Sequence, residues 1–463
     1  MQLSQVAQAT SGRLQGLDTS IVEVVTDTRV NCGGGLFVAL KGENFDAHDF
    51  VDQAEKAGAV ALLVEREVKT GLPSVQVDDT LTALASLATW WRDQFDIPLM
   101  AITGSVGKTT VKEMLASILA GVGDGVATKG NLNNEIGVPL TLLRLRQHHK
   151  YAVVEMGMNR AGEIRRLSNM AKPTVALVNN AGAAHLEGLG SVAAVAQAKG
   201  EIFDGLRDDG IAIINADDEY AALWQQTSKA HNCILFGLST GADIKATYTA
   251  SNEQIVIDIN GLPEACQVHL NSVGEHSVRN ALAAAAVANA VNVSVDNIVA
   301  GLEAFSAVPG RLHIEHVGKA ILIDDTYNAN PTSVRAAIDV LARYSNSLLI
   351  LGDMAELGVG AEQEHRNLGA YAQAKGVKQL WTCGNYADQL ASEFGADSVA
   401  YSDQTTLLGE LDCLLDEQLL NRDNQPDALA ILVKGSRSAQ MENVVTAARR
   451  HLLLDTGSDL GGA

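Results

Sequence analysis

An apolar run, Leu99-Met100-Ala101-Ile102-Thr103, passes directly into Gly104-Ser105-Val106-Gly107-Lys108-Thr109-Thr110 and then into an amphipathic stretch. The order is strand, glycine turn, helix start, and it commits this part of the chain to an α/β unit built to hold a phosphate. Backbone N–H groups from Gly104 to Thr110 converge on an anion and the helix dipole adds partial positive charge. Lys108 can reach the terminal phosphates while Thr109 offers a hydroxyl to Mg²⁺, so an ATP or GTP site is expected. The usual pattern has a further glycine five residues before the second one. Here that position is Ile102, which makes the turn a shortened variant.

The same alternation recurs along the chain. Met100 to Thr103, Ala152 to Glu155, Val175 to Asn179, Ile211 to Asn215 and Cys233 to Phe236 read as strands separated by helices, which predicts a mostly parallel, doubly wound sheet covered on both faces. The polar-alternating patch Ile244 to Leu270 reads as antiparallel strands appended to that sheet, and an alanine-rich helix follows over Val278 to Ala290. Val308-Pro309-Gly310-Arg311 breaks the pattern. Beyond it, Ala320 to Asp324, Leu348 to Leu351, Leu380 to Cys383 and Ala430 to Val433 restart it as a Rossmann-like unit, with no Gly-x-Gly-x-x-Gly fingerprint to support a nicotinamide or flavin site. At the other end, Val22 to Thr26, Leu36 to Leu40, Val60 to Val64 and Ser74 to Val77 read as strands of a small α/β domain with a helical pattern over Phe50 to Ala57, and the helical segment Leu81 to Phe95 leads into the central strands. Three domains are therefore expected, over residues 1–82, 83–309 and 310–463, as suits a chain of 463 residues.

A hydrophobic fraction of 47% and a charged fraction of 19% are those of a folded globular protein, and disorder is expected in the last residues alone, Gly457 to Ala463. The excess of 55 acidic over 34 basic residues, net charge -21, argues against nucleic acid or an anionic membrane as the partner. No apolar run approaches the ~20 residues that cross a bilayer, and Met1 to Val6 lacks the blocks of a signal peptide, so a cytoplasmic location is expected. Cys32, Cys233, Cys266, Cys383 and Cys413 are scattered and odd in number, which indicates neither a disulfide framework nor a zinc site.

Polar residues at strand ends are the candidates for chemistry. Glu155 closes Tyr151-Ala152-Val153-Val154 and should face the same crevice as Lys108, where a carboxylate usually serves nucleotide-bound Mg²⁺. His185 lies just past a strand, although a lone histidine is more often structural, and Lys199 sits in a helix where spacing alone gives a solvated or ion-paired lysine. Thr26-Asp27-Thr28-Arg29 and Lys41 to Asp49 form polar clusters at strand ends, and as bare sequence they read as surface turns.

Taken in order, Gly104 to Thr110, Asn131 to Pro139, Val154 to Gly157, Ala184 to Glu187, Ala198 to Ile202 and Gly274 to Asn280 resemble the motifs of the Mur ligases, which build the peptide stem of bacterial cell-wall precursor, and the likeness covers essentially the whole chain. Ile323 to Pro331 and Leu351 to Gly358 are similar to the members that add D-alanyl-D-alanine to UDP-N-acetylmuramoyl-tripeptide. The resemblance implies an ATP-dependent amide-forming ligase working through an acyl phosphate, with Lys108, Lys199, His185 and Arg311 as catalytic residues. It implies that Thr109, Glu155, His185 and a carbamylated Lys199 hold Mg²⁺, that Asn280 meets the adenine, Arg311 the phosphates and Asp325 the ribose. It also turns Thr26, Asp27, Thr28 and Arg29 into a uridine-diphosphate-sugar loop and adds Asn133, Asn134 and Asn328 as substrate contacts. The expected form is a monomer whose hinge near Val308 to Arg311 closes on ATP, from an open form without it. Three competitors stay open: a sister ligase adding another residue, a folate polyglutamate ligase, and a non-catalytic nucleotide switch with the same phosphate loop.

Overall fold

The computed structural model describes residues 1–42, 45–251, 254–318, 320–420 and 428–458. Glu43 and Asn44 of the second polar cluster, and residues 459–463 of the expected tail, lie outside that set. Among the described residues three sheets form, one in each expected region. The first has five strands in the spatial order Arg13–Gln15, Ser74–Gln76, Ala61–Val64, Gly35–Val38, Glu23–Val25, parallel except for the first pair.

The central sheet runs Cys266–Leu270, Ile255–Asn260, Ile244–Ala250, Asn232–Gly237, Ile211–Asn215, Val175–Val178, Leu99–Thr103, Tyr151–Glu155, Gly125–Ala127. Every residue of Leu99–Thr103 and of its neighbours Tyr151–Glu155 and Val175–Val178 is buried, because helices cover both faces of a parallel sheet. Ile102 is one of them. It is fully buried and paired with Glu155 on one side and Leu177 on the other, so the strand continues through the position where a longer phosphate loop would begin.

The expected antiparallel patch needs one correction. Ile244–Ala250 first joins Asn232–Gly237 in parallel, through the two pairs Phe236↔Ile244 and Gly237↔Lys245, and the antiparallel pairing begins only with the next strand. The six residues between those strands are too few to carry the chain back over a whole strand length, which limits the parallel pairing to two residues.

The last sheet runs His313–Val317, Ala320–Asp325, Leu429–Lys434, Ser347–Gly352, Gln379–Cys383, Ser398–Tyr401, with its first strand antiparallel and the rest parallel. The strands that the sequence pattern did not reveal, Arg13–Gln15, Gly125–Ala127, His313–Val317 and Ser398–Tyr401, are all edge strands. None is buried along its length, so none carries a continuous apolar run.

The helix Thr80–Arg92 ties the first two sheets together. Asp79 caps it by accepting from Thr82 N, and its buried Ala83, Leu84, Leu87 and Ala88 share one core with Leu36, Leu63 and Val75 of the first sheet and with Leu142, Val154 and Ile164 of the central region. The boundary expected between residues 82 and 83 therefore falls inside a helix that both units bury. The C-terminal sheet has its own two cores, one on each face.

Candidate active site

The carboxyl ends of the central strands and of two C-terminal strands face a shared cleft of about 590 Å³. Ser105 to Thr110, Asn133, Asn134, Glu155, His185 and Asn280 line it from the central side, and Arg311, Asp325, Tyr327, Asn328 and Lys434 from the other.

The phosphate turn is held from behind by Asn179 and Asn180. Asn180 Oδ1 accepts from Val106 N at 2.9 Å while its Nδ2 donates to Val106 O at 3.0 Å, and Ser105 N donates to Asn180 O at 3.1 Å. Asn179 Nδ2 donates both to Val106 O and to Asn280 Oδ1, each at 3.1 Å. Gly107 caps the helix Lys108–Ala120 at φ 80°, and a Cβ there would stand 2.4 Å from Asn280 Oδ1 and 2.7 Å from Asn179 Nδ2. A left-handed alanine costs about 1–2 kcal/mol and its Cβ would press on Asn280 and Asn179, so Gly107→Ala is expected to lower stability by at least about that much, read by urea denaturation.

Thr109 Oγ1 joins the two halves of the cleft. It donates to Glu155 Oε2 at 2.8 Å and accepts from Arg311 Nη2 at 2.8 Å, while Glu155 Oε1 accepts from Asn133 Nδ2 at 2.8 Å. A second bridge sets His185 Nδ1 2.7 Å from Glu356 Oε2, an ion-pair distance off the line of a good hydrogen bond. This contact holds the Glu356 carboxyl below its ordinary range. The central and C-terminal regions meet here through Arg311 on Thr109 and Glu356 beside His185.

Two lysines sit behind these bridges. Lys108 Nζ donates to Gly104 O at 2.7 Å, and burial pushes its pKa down against the opposing pull of Glu155. Lys199 is 1% exposed, has no hydrogen-bond or ion-pair partner among the described residues, and is pushed well below its ordinary value by burial and then by Lys108. It is not the solvated or ion-paired lysine that its helical position alone implies, and it lies behind the cleft wall rather than on it.

This burial fixes a pH dependence. Unfolded, the lysine titrates near 10.5. As pH falls from there, the unfolded chain takes up a proton that the folded one refuses, so wild-type stability declines until the buried group's own pKa is reached and is flat below it. Lys199→Met removes that loss. In CO₂-free buffer the variant is expected to be more stable than wild type at pH 7 by urea denaturation, with the advantage shrinking as pH approaches 10.5.

Other expected residues arrive with part of their bonding already used. Asn134 Oδ1 accepts from Ile136 N and Gly137 N, capping the helix Gly137–Leu142, so that oxygen serves the fold rather than a substrate. Asn133 reaches the cleft but spends Nδ2 on Glu155. Asn280 packs against the phosphate turn, its Oδ1 taken by Asn179. Asp325 is 8% exposed and accepts from Leu312 N through Oδ1 and from Lys434 Nζ through Oδ2, so a ribose hydroxyl would have to share an oxygen already bonded. Asn328 Oδ1 accepts from Ala329 N, and its carbonyl accepts from Lys434 Nζ. Thr26 to Arg29 do not line the cleft but follow the strand Glu23–Val25 of the first sheet, where Arg29 pairs with Asp27 and holds its carboxyl down to about 2.

Lys434, Asn179, Asn180 and Glu356 were not singled out as site residues. The available signals were a lysine closing a fully apolar strand and an asparagine pair just past Val175–Val178. Glu356 had no signal of its own beyond the motif that contains it.

Thr109 and Glu155 present a hydroxyl and a carboxylate side by side, the hard oxygen donors Mg²⁺ takes. No group of three or more His, Cys, Asp or Glu able to hold a metal exists among the described residues. A cation here fits as one completed by nucleotide phosphates and water.

Family models match in three segments: "Mur ligase family, catalytic domain" over residues 20–91, "Mur ligase middle domain" over 102–288, and "Mur ligase, glutamate ligase domain" over 310–437. The chain is 45% identical to the UDP-N-acetylmuramoyl-tripeptide–D-alanyl-D-alanine ligase of Escherichia coli (strain K12), covering 96% of this chain and 97% of that one. It is 33% identical to the ligase of the same name from Bacillus subtilis (strain 168), over 96% of each. A crystal structure of MurF from Acinetobacter baumannii superposes with a TM-score of 0.90 at 37% identity, over 97% and 98% of the two chains. The MurF ligase of Thermotoga maritima in complex with ADP superposes with a TM-score of 0.81 at 26% identity, over 94% and 98%.

Proposed function

Since this chain belongs to the Mur ligase family, we infer that it is an ATP-dependent ligase that adds D-alanyl-D-alanine to UDP-N-acetylmuramoyl-tripeptide in peptidoglycan precursor synthesis. The observation that carries the mechanism is the contact of Arg311 with Thr109, which brings a cation of the C-terminal region onto the phosphate turn. A peptide carboxylate is a poor electrophile, so it first attacks the γ-phosphate, giving an acyl phosphate and ADP. The dipeptide amine then attacks the acyl carbon and phosphate leaves. Two anions must approach in the first step, and Lys108 and Arg311 neutralise and position them.

Asn280 Nδ2 is left to donate to the adenine, and Thr26 to Arg29 with Asn133, Asn134 and Asn328 contact the precursor, Asn134 through its NH₂ alone. Asp325 serves the ribose through an oxygen shared with Leu312 N or Lys434. Thr109, Glu155, His185 and Lys199 as its carbamate would hold Mg²⁺, which supplies charge neutralisation at the phosphates when bound. Glu356 on Nδ1 leaves Nε2 as the ring nitrogen of His185 for that purpose. The working divisions are 1–82, 83–309 and 310–463, and the protein acts as a cytoplasmic monomer without nucleic-acid or membrane partners. No helix among the described residues is long and apolar enough to cross a membrane.

The test is a phosphate-release assay with UDP-N-acetylmuramoyl-tripeptide, ATP and a panel of amino acids and D-dipeptides. Release that depends on D-alanyl-D-alanine is the expected result. Release with a single amino acid would indicate a sister ligase, and turnover of a folate with glutamate a polyglutamate ligase. One stoichiometric release without an acceptor would indicate a switch.

A further inference from the structure

Arg311 stands in the segment that joins the central and C-terminal regions, and both of its neighbours are pinned to the end of the strand Ala320–Asp325. Gly310 N donates to Asp324 Oδ2 at 3.1 Å, Leu312 N donates to Asp325 Oδ1 at 3.1 Å, and Tyr327 N donates to Gly310 O at 3.0 Å. Lys434 Nζ braces the same turn by donating to Asp325 and to Asn328 O. The result sets the Tyr327 ring under the guanidinium, with Arg311 Cζ 3.9 Å from the ring centroid, inside the roughly 6 Å reach of a cation–π contact. Arg311 makes side-chain contact with this ring and with the Thr109 hydroxyl, while the Asp325 carboxylate feels its charge without a hydrogen bond to it.

We propose that Tyr327 is the positioning residue for Arg311, fixing the plane of the guanidinium toward the phosphate turn without neutralising it. The choice of partner matters chemically. A carboxylate would orient arginine by occupying its in-plane N–H donors and cancelling its charge, and both are what an incoming phosphate needs. An aromatic face holds the cation from above and leaves the in-plane donors free, one on Thr109 and four for oxygen atoms of a ligand. The ring does this through its π face, so the Tyr327 hydroxyl has no part in it.

The inference rests on Arg311 as a phosphate-binding group, and a double-mutant cycle separates the two. Binding of a non-hydrolysable ATP analogue is measured by calorimetry on the full chain, with kcat and KM for ATP alongside. Tyr327→Leu is expected to weaken analogue binding about 2- to 30-fold, the range of a cation–π contact, while Tyr327→Phe stays within about twofold of wild type. In the Arg311→Ala background, Tyr327→Leu should add no further loss. A phenylalanine variant as weak as the leucine one, or a leucine effect undiminished without Arg311, overturns the inference. So does full binding by Tyr327→Leu when Arg311→Ala is impaired. If Arg311→Ala binds as wild type does, the phosphate role of Arg311 fails and the proposal falls with it. Thermal melts check the fold, and Tyr327→Met, of similar length and without a π face, replaces the leucine variant should that one melt early.

Discussion

Lys108→Ala is expected to lower kcat for ADP release by about 10³-fold or more while leaving the fold intact, because in the proposed mechanism Lys108 neutralises the transferring phosphoryl. Lys108 Nζ donates to Gly104 O at 2.7 Å, and burial depresses its pKa. Three or four phosphate charges arriving at the turn reverse that balance, since they compensate a buried ammonium far better than a carbonyl does. The benefit is therefore realised when charge moves between the γ-phosphate and the attacking carboxylate, and the loss should fall on kcat more than on KM for D-alanyl-D-alanine. Lys108→Arg should not restore activity, because a planar fork does not fit where a single compact charge reaches Gly104 O. ADP release by Lys108→Ala at the wild-type rate in a coupled assay would remove the lysine from the mechanism.

Lys199→Ala should cost about 10²-fold or more in turnover, with part of it returned by short carboxylates such as acetate or formate. Carbamate formation joins a neutral amine to CO₂ and releases one proton, and Lys199 satisfies its first requirement. It is buried, lacks an anionic partner among the described residues, and is held well below its ordinary pKa. The reaction also relieves a conflict built into the fold. Lys108 lowers the pKa of Lys199 as a neighbouring cation would, and changing Lys199 into an anion turns that repulsion into attraction. Failure of every carboxylate to restore activity under saturating Mg²⁺ would count against the carbamate. Full activity of the alanine variant would remove Lys199 from the reaction altogether.

The legibility of this chain follows burial. Leu99–Thr103, Tyr151–Glu155 and Val175–Val178 are buried on both faces and read as strands within a residue or two, whereas the edge strands Arg13–Gln15, Gly125–Ala127, His313–Val317 and Ser398–Tyr401 have a solvated side and leave no such trace. The phosphate turn was plain because its glycines do work that other residues cannot, Gly107 above all. What the sequence could not reveal is where polar atoms spend their hydrogen bonds. Asn134 looked like a substrate contact and lends its oxygen to a helix cap, and Asp325 looked like a ribose acceptor and is bonded at both oxygens. Lys199 is the reverse case. Its helical position gives a bland surface lysine, and only the packing of neighbouring elements, which no local pattern encodes, makes it a buried and unpaired amine.

Ile102, the residue that stands where a glycine is usual, bears on the thermodynamics of nucleotide capture. A longer loop would leave Ile102 and Thr103 free to wander until a ligand arrived, and ordering a residue's backbone costs about 1–2 kcal/mol in conformational entropy. Here both residues are immobilised by the sheet, with Ile102 O accepting from Met156 N at 2.8 Å and Thr103 Oγ1 donating to Met156 O at 2.9 Å. That ordering is settled when the chain folds, so roughly 2–4 kcal/mol that binding would otherwise consume stays available to grip the phosphates.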